Sequence, residues 1–332
     1  MTTKYVNTGS EAGGDGTTNN TTGDTRAYAT LSEAEANLPA TLTDAWTLLC
    51  EGTTADGSVF TIGGTTTSAS NTLTIKTDTD HRHLGEYSTS YYRLTGVPAA
   101  NSYAIQFGSA GYYLTFEGIQ IELTHPADWS IRQIFNSQYA GTVNFDRCIF
   151  KVGPSSGAAP IIAFRVSYAS NPGTWVFQSC GFLSAGTAAA TCKAITEDNN
   201  TGTGAIYVYN CTFKSYKLGV QQSALTVAVA NCGFVSCTDD LDGTITATTN
   251  STSTPTFASG KEFHLDAADT TWLDEGTDLS EYTGIINTLD LDGQNRGATW
   301  DIGADEYVSS STPLEVDELS DSLINRVWRG II

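Results

Sequence analysis

The chain has 332 residues, 40% apolar and only 16% charged, so it can bury a core and is not disordered by composition. Its formal net charge of -20 argues against a nucleic-acid partner and suits a soluble acidic surface or one that takes up Ca²⁺, and no apolar run approaches the roughly 18 residues of a membrane-spanning helix. Plentiful Gly (32), a single Met and abundant Thr, Ser and Asn favour strands and tight turns over helices.

The first residues, "MTTKYVNTGSEAGGDG", contain no apolar signal core, and seven cysteines, an odd number, argue against a secreted disulfide framework. The expectation is a protein made and folded in a reducing cytoplasm. Residues 1–44 are expected to form an opening strand and a short capping helix. Ser32-Glu33-Ala34-Glu35 fits a capping box, with Leu31 and Leu38 on one side of that helix.

Further on, "DTDHRHLG" holds His81 and His83 two residues apart, a spacing that on a strand would aim both at one metal. The Gly and Asp around them predict a loop with solvated imidazoles instead. "EYSTSYYRLTG" then gathers Tyr87, Tyr91 and Tyr92, followed by "GYYL" at 111–114. Aromatic faces suit pyranose stacking, so these tyrosines are candidate ligands for a surface glycan.

From there a signature recurs: "VNFDRCIF" (143–150), "WVFQSCGF" (175–182), "IYVYNCTF" (206–213) and "VAVANCGF" (227–234). Ile119 of "YLTFEGIQI" occupies the slot of Cys148, Cys180, Cys211 and Cys232, at separations of 29, 32, 31 and 21 residues. Each unit is a short alternating strand, a polar residue and a second short strand. A constant strand signature with variable spacing fits a β-helix, whose coils tolerate loops of any length, and not a fixed-period propeller. The five residues then form a ladder inside the core, where free Cys acts as a small hydrophobe. The phenylalanines at 150, 182, 213 and 234 form a second stack, and Asn210 and Asn231 sit at bends. A cysteine–metal cluster would need closer spacing, such as C-x₂-C, and no metal is expected.

The opening "KYVNTGSEAGGDGTTNN…YATLSEAEANLP", the repeated "xNCxF" strands and the segment "LDLDGQNRGATWDIGADEY" (289–307) resemble right-handed parallel β-helix proteins of the pectate-lyase-like type. The likeness covers roughly residues 4–307. It implies an all-β solenoid over 45–307 with the short helix plugging its start; at roughly 25 residues per coil, the stretch from about 45 to 250 makes about eight coils. Arg296, near Asp301, Asp305 and Glu306, would tie a flap over its far end.

Enzymes of that type cleave polysaccharides with clustered carboxylates, sometimes with Ca²⁺. Asp239, Asp240 and Asp242 are the only candidate group, and no Gly-His-Gly segment follows them. They serve as weak catalytic or Ca²⁺ candidates, with a solvated turn as the alternative. His125 and His264 stand alone, and no other cofactor is implied.

After Tyr307, "VSSSTP" (308–313) is composed as a linker. Residues 314–332 then place Val316, Leu319, Leu323, Ile324, Val327 and Trp328 on the apolar side of a helix, with acids early and Arg326 and Arg329 late. Such a tail suits attachment or oligomerisation. The expected function is therefore a non-enzymatic, homo-oligomeric virion component, a capsid or tail decoration or spike subunit made in the host cytoplasm and bound to its partners through the C-terminal helix. A polysaccharide lyase or hydrolase is the alternative, and a surface adhesin the third.

Overall fold

The computed structural model describes residues 1–96, 102–107, 112–123, 132–137, 141–153, 161–167, 173–185, 192–198 and 204–308. Three sheets account for nearly all of the regular structure, and every pairing between their strands is parallel. The chain visits them in rotation. Gly141–Asp146 lies in sheet A, Ile149–Val152 in sheet B and Ile161–Ser167 in sheet C, after which Thr174–Gln178 returns to sheet A beside the first strand. Sheet A holds nine strands, the opening strand Thr2–Asn7 and then eight in chain order up to Thr246–Thr248; sheets B and C hold seven each. The result is a parallel β-helix-like solenoid.

Alternation decides which side chains enter it. In Gly141–Asp146, Val143 and Phe145 are buried while Thr142 and Asn144 are half-exposed. Because pairing is parallel and in register, each inward residue meets its counterpart one coil on: Phe145 pairs with Phe116 and Phe177, and Val143 with Leu114 and Trp175. Ring centroids follow the strand spacing, at 5.2 Å for Phe116–Phe145 and 4.8 Å for Phe145–Phe177. The stack Phe150, Phe182, Phe213, Phe234 repeats at 4.8, 4.6 and 4.9 Å with nearly parallel rings. Flat stacking is not the preferred electrostatic arrangement of benzene rings, so register and burial impose it, at about 1.5–3 kcal/mol of transfer energy per buried ring.

The bend between sheets A and B is the same in successive coils. Gly118, Arg147, Ser179, Asn210, Asn231 and Thr249 all take left-handed backbone, with φ between 49° and 66°. Side chains other than glycine cost about 1–2 kcal/mol there. The bend keeps its hydrogen bonds in return: the N–H groups of Arg147, Ser179, Asn210 and Asn231 donate to the next coil at 3.0–3.1 Å. Asn231 Nδ2 also donates to Asn210 Oδ1 at 3.1 Å.

The residue after each of the first five bends is Ile119, Cys148, Cys180, Cys211 or Cys232, each fully buried, and all the cysteines are unbridged. Each of these four thiols points at carbonyls of its own coil and the preceding one, as Cys180 Sγ does at 3.2 Å from Gln178 O and 3.3 Å from Phe145 O. Cysteine thus fills a small apolar slot and still donates weakly to a turn carbonyl. Burial holds the Cys148, Cys180 and Cys211 thiols well above their ordinary range, so they are unreactive.

Near the start a helix spans Leu31–Ala36. Its cap lies two residues earlier than the sequence suggested: Thr30 Oγ1 accepts from Glu33 N at 3.1 Å, and Glu33 Oε2 accepts from Ala29 N at 2.8 Å. Ser32 is inside the helix, because Leu31 must start the helix for both Leu31 and Ala34 to reach the core, where they are buried.

The segment after the last coil corrects a second expectation. Residues 252–307 do not cross the end of the stack; they run along its flank, over the bend between sheets A and B. Trp272 lies on Gly233 and Phe263 on Gly181, where an added Cβ would come within 2.0 and 2.7 Å of the rings. Farther along, Asn287 Nδ2 donates to Asp146 Oδ2 at 2.9 Å, Ser179 Oγ to Leu289 O at 2.7 Å, and Arg82 to Asp292 O. The chain then doubles back, with Ala304 N donating to Thr212 Oγ1 at 2.9 Å. This strap is needed because the outer faces of sheets A and B carry apolar groups. It buries Ile149 and Leu183 under Phe263 and Leu291, and Tyr209 and Ala230 under Leu279 and Trp300. The linker beyond Val308 and the proposed helix at 314–332, with Val316, Leu319, Leu323, Ile324, Val327 and Trp328, lie outside the described residues.

Candidate functional site

The acidic group at 239–242 forms a strand, Asp239–Asp242, on the edge of sheet C, and not a turn. It pairs with Leu218–Gln221, which sets its faces: Leu241 sits beside the buried Val220 and packs on the core. Asp240 is half-buried, whereas Asp239 and Asp242 are exposed. Burial, then the charge of Asp239, raises the Asp240 carboxyl, and Asp242 Oδ2 accepts from Gln221 Nε2 at 2.9 Å. Neighbouring aspartates on opposite faces make no convergent pair for acid–base chemistry.

The tyrosines are also divided. Tyr92 is fully buried, donating to Asp56 Oδ2 at 2.8 Å. Tyr87 donates to Glu122 while Lys151 Nζ covers its ring 3.9 Å from the centroid. Tyr91 is half-buried. His83, expected in solvent, is fully buried, and its Nε2 donates to Arg147 O at 2.8 Å. Burial keeps it neutral by pushing its pKa down to about 3.

The site that the sequence left unassembled lies where the strap meets the 78–92 loop. A cleft of about 390 Å³ is bounded by Leu84, His264, Asp292, Gln294, Asp305 and Tyr307 among others. His264 Nε2 donates to Leu84 O at 2.8 Å, and its Nδ1 lies 3.1 Å from Asp305 Oδ1. Burial alone would lower this imidazole, but the Asp305 carboxylate and the Leu84 carbonyl outweigh it and raise the pKa to about 9. Burial also raises the Asp305 carboxyl, against the pull of His264. The 3.1 Å contact favours an imidazolium facing a carboxylate whenever nothing else occupies the gap. His125 lies outside the described residues.

Behind this cleft the closing motif is bound to itself. Arg296 Nη1 pairs with Glu306 Oε2 at 3.2 Å, and its Nη2 donates to Gly303 O and Ala304 O at 2.9 Å each. Asp301 does not pair with the guanidinium through its carboxylate; it accepts from Asp274 N and Tyr307 N, both at 2.6 Å. Asp290, fully buried, accepts from Gln294 N and Glu306 N at 2.6 and 3.2 Å. Burial, then Asp292, holds it well above the carboxylate range.

No protein-family model matches the chain, and no curated protein does so either. The fold and these contacts therefore carry the functional reading. Among the described residues no helix is long and apolar enough to cross a membrane.

Proposed function

We propose that the chain is a non-enzymatic structural rod of a virion-like assembly, a decoration or spike subunit of a capsid or tail, attached and oligomerised through the apolar stripe of residues 314–332. The reading takes the solenoid as a right-handed β-helix of the pectate-lyase-like type, since parallel strand crossovers are right-handed almost without exception. One observation carries it: side chains repeat in register from coil to coil beneath a strap that spans the same coils, an arrangement suited to stiffness. The division of Asp239 from Asp240, and of Tyr92 from Tyr87, adds support.

Light scattering on the full chain beside a version ending at Tyr307 tests this. An oligomer that becomes a monomer on truncation is expected, with the β-sheet circular dichroism unchanged. Monomers in both samples, with no attachment to particles, would overturn it. A second reading, polysaccharide cleavage, draws on the carboxylate-lined cleft beside Tyr307. Release of reducing or unsaturated ends from a polysaccharide panel, lost in Asp305→Asn, would establish that reading instead.

A further inference from the structure

Asp292, Asp305 and His264 are each held by one polar atom and present the other to a shared point. Asp292 Oδ2 accepts from Gln294 Nε2 at 2.9 Å, and Asp305 Oδ2 accepts from Leu265 N at 2.9 Å. His264 is fixed through Nε2 on Leu84 O. One ligand atom from each of the three residues lies within 4.8 Å of the other two, and Nδ1 of His264 and Oδ1 of Asp305 are 3.1 Å apart. Both Oδ1 atoms are shut off from solvent without a hydrogen bond, and Asp305 as a whole is 3% exposed. The 3.1 Å approach of Nδ1 to Asp305 Oδ1 falls outside hydrogen-bond geometry. Asp305 Oδ1 meets only the His264 imidazole and Asp292 Oδ1 is left unmet; an unmet buried oxygen is expensive, so this arrangement needs a further counterpart.

We propose that His264 Nδ1, Asp292 Oδ1 and Asp305 Oδ1 bind one divalent transition-metal cation, Zn²⁺ or Mn²⁺, with water from the cleft completing its coordination. One imidazole and two carboxylates suit these ions, whereas Ca²⁺ seeks six to eight oxygens. Leu84 O on the far imidazole nitrogen, and the donors on both Oδ2 atoms, are the outer-shell supports such sites use. Asp290 lies among the charges acting with Asp292 and Asp305, and Arg82 and Arg296 oppose them.

A contrasting cluster, Glu51, Asp78 and His81, is already closed. Asp78 Oδ1 takes hydrogen bonds from His81 Nδ1 at 2.8 Å and from two backbone N–H groups, and Glu51 Oε2 takes one from Asn19. The bound cation would join three stretches of the strap, around 264, 292 and 305, and His264 would carry the link on to Leu84 O. This inference stands apart from the assembly reading and survives its failure.

The test is calorimetric titration of chelator-treated, full-length protein with ZnCl₂, MnCl₂ and CaCl₂, with thermal melts alongside. Expected are a single site, at least tenfold tighter for Zn²⁺ or Mn²⁺ than for Ca²⁺, proton release on binding, and a raised melting temperature. Affinity should rise from pH 6 to 8, because the ion must displace the imidazole proton. His264→Gln and Asp292→Asn should each weaken binding about 10- to 100-fold, and His81→Gln should leave it unchanged. Binding that ignores both site variants would mean diffuse uptake by an acidic surface and overturn the proposal. So would equal affinity for Ca²⁺, or no binding at all. If a variant loses its β-sheet circular dichroism, the wild-type titration still decides, since the absence of one selective site suffices to reject the idea.

Discussion

The interior of the solenoid and the strap along its flank use opposite strategies. Inside, one residue type is copied from coil to coil, so Phe meets Phe and Cys follows Cys, and a single alternating pattern specifies many contacts. On the flank nothing repeats: Trp272, Phe263, Asn287 and Leu289 each meet a different partner. Repetition makes the core tolerant of loop length, whereas the strap's one-off contacts fix which coil it touches. Damage inside should therefore cost global stability, and damage under the strap should first cost local order.

Phe177→Ala is the severest way to break that contrast. The ring is fully buried and contacts Phe145, Phe150, Phe164 and Phe182. Denaturant unfolding should record a loss of about 3–5 kcal/mol. Gly233→Ala attacks the flank instead, driving a methyl against the Trp272 ring. The expected loss is about 1–3 kcal/mol, with new protease cuts confined to 252–307 and the β-sheet signal kept. Cleavage throughout the chain would mean that strap and coils form one cooperative unit.

His83 sharpens the comparison through pH. Its folded pKa, about 3, lies below the ordinary 6.5, so below pH 6.5 the unfolded chain takes up a proton that the folded chain refuses. This contribution is complete above pH 6.5 and lost as pH falls toward 3. Between pH 6.5 and 5.5 the wild type should lose about 1 kcal/mol more than His83→Gln, measured by paired urea titrations. The mildest change is Asp242→Asn on the outer face of the last strand in sheet C, which should move stability by no more than about 0.5 kcal/mol.

The solenoid was readable because its signals are local and repeated. Alternation around Val143 and Phe145, together with Cys148, Cys180, Cys211 and Cys232 at one slot, needs only a neighbouring coil to make sense. The capping residue was displaced because Thr30 and Ser32 are equally able to cap, and only the burial of Leu31 chooses between them. The site at His264, Asp292 and Asp305 gave no signal, since it joins residues tens of positions apart through the path of the strap. A clue existed in "LDLDGQNRGATWDIGADEY", where so many carboxylates around one arginine exceed what an ion pair requires. His83 was misjudged for a related reason: the carbonyl that its imidazole meets belongs to Arg147, 64 residues later.

That lateness has a consequence for how the molecule comes into being. The strap's contacts reach back 109 residues to Gln178, 141 to Asp146 and 210 to Arg82. Coils can add one upon another as they emerge from the ribosome, but the strap has nothing to grip until all of them are in place. It works as an inspection at the end of the line, because a chain with a slipped coil offers the wrong partners at every one of those positions. Only a correctly wound chain can be fastened.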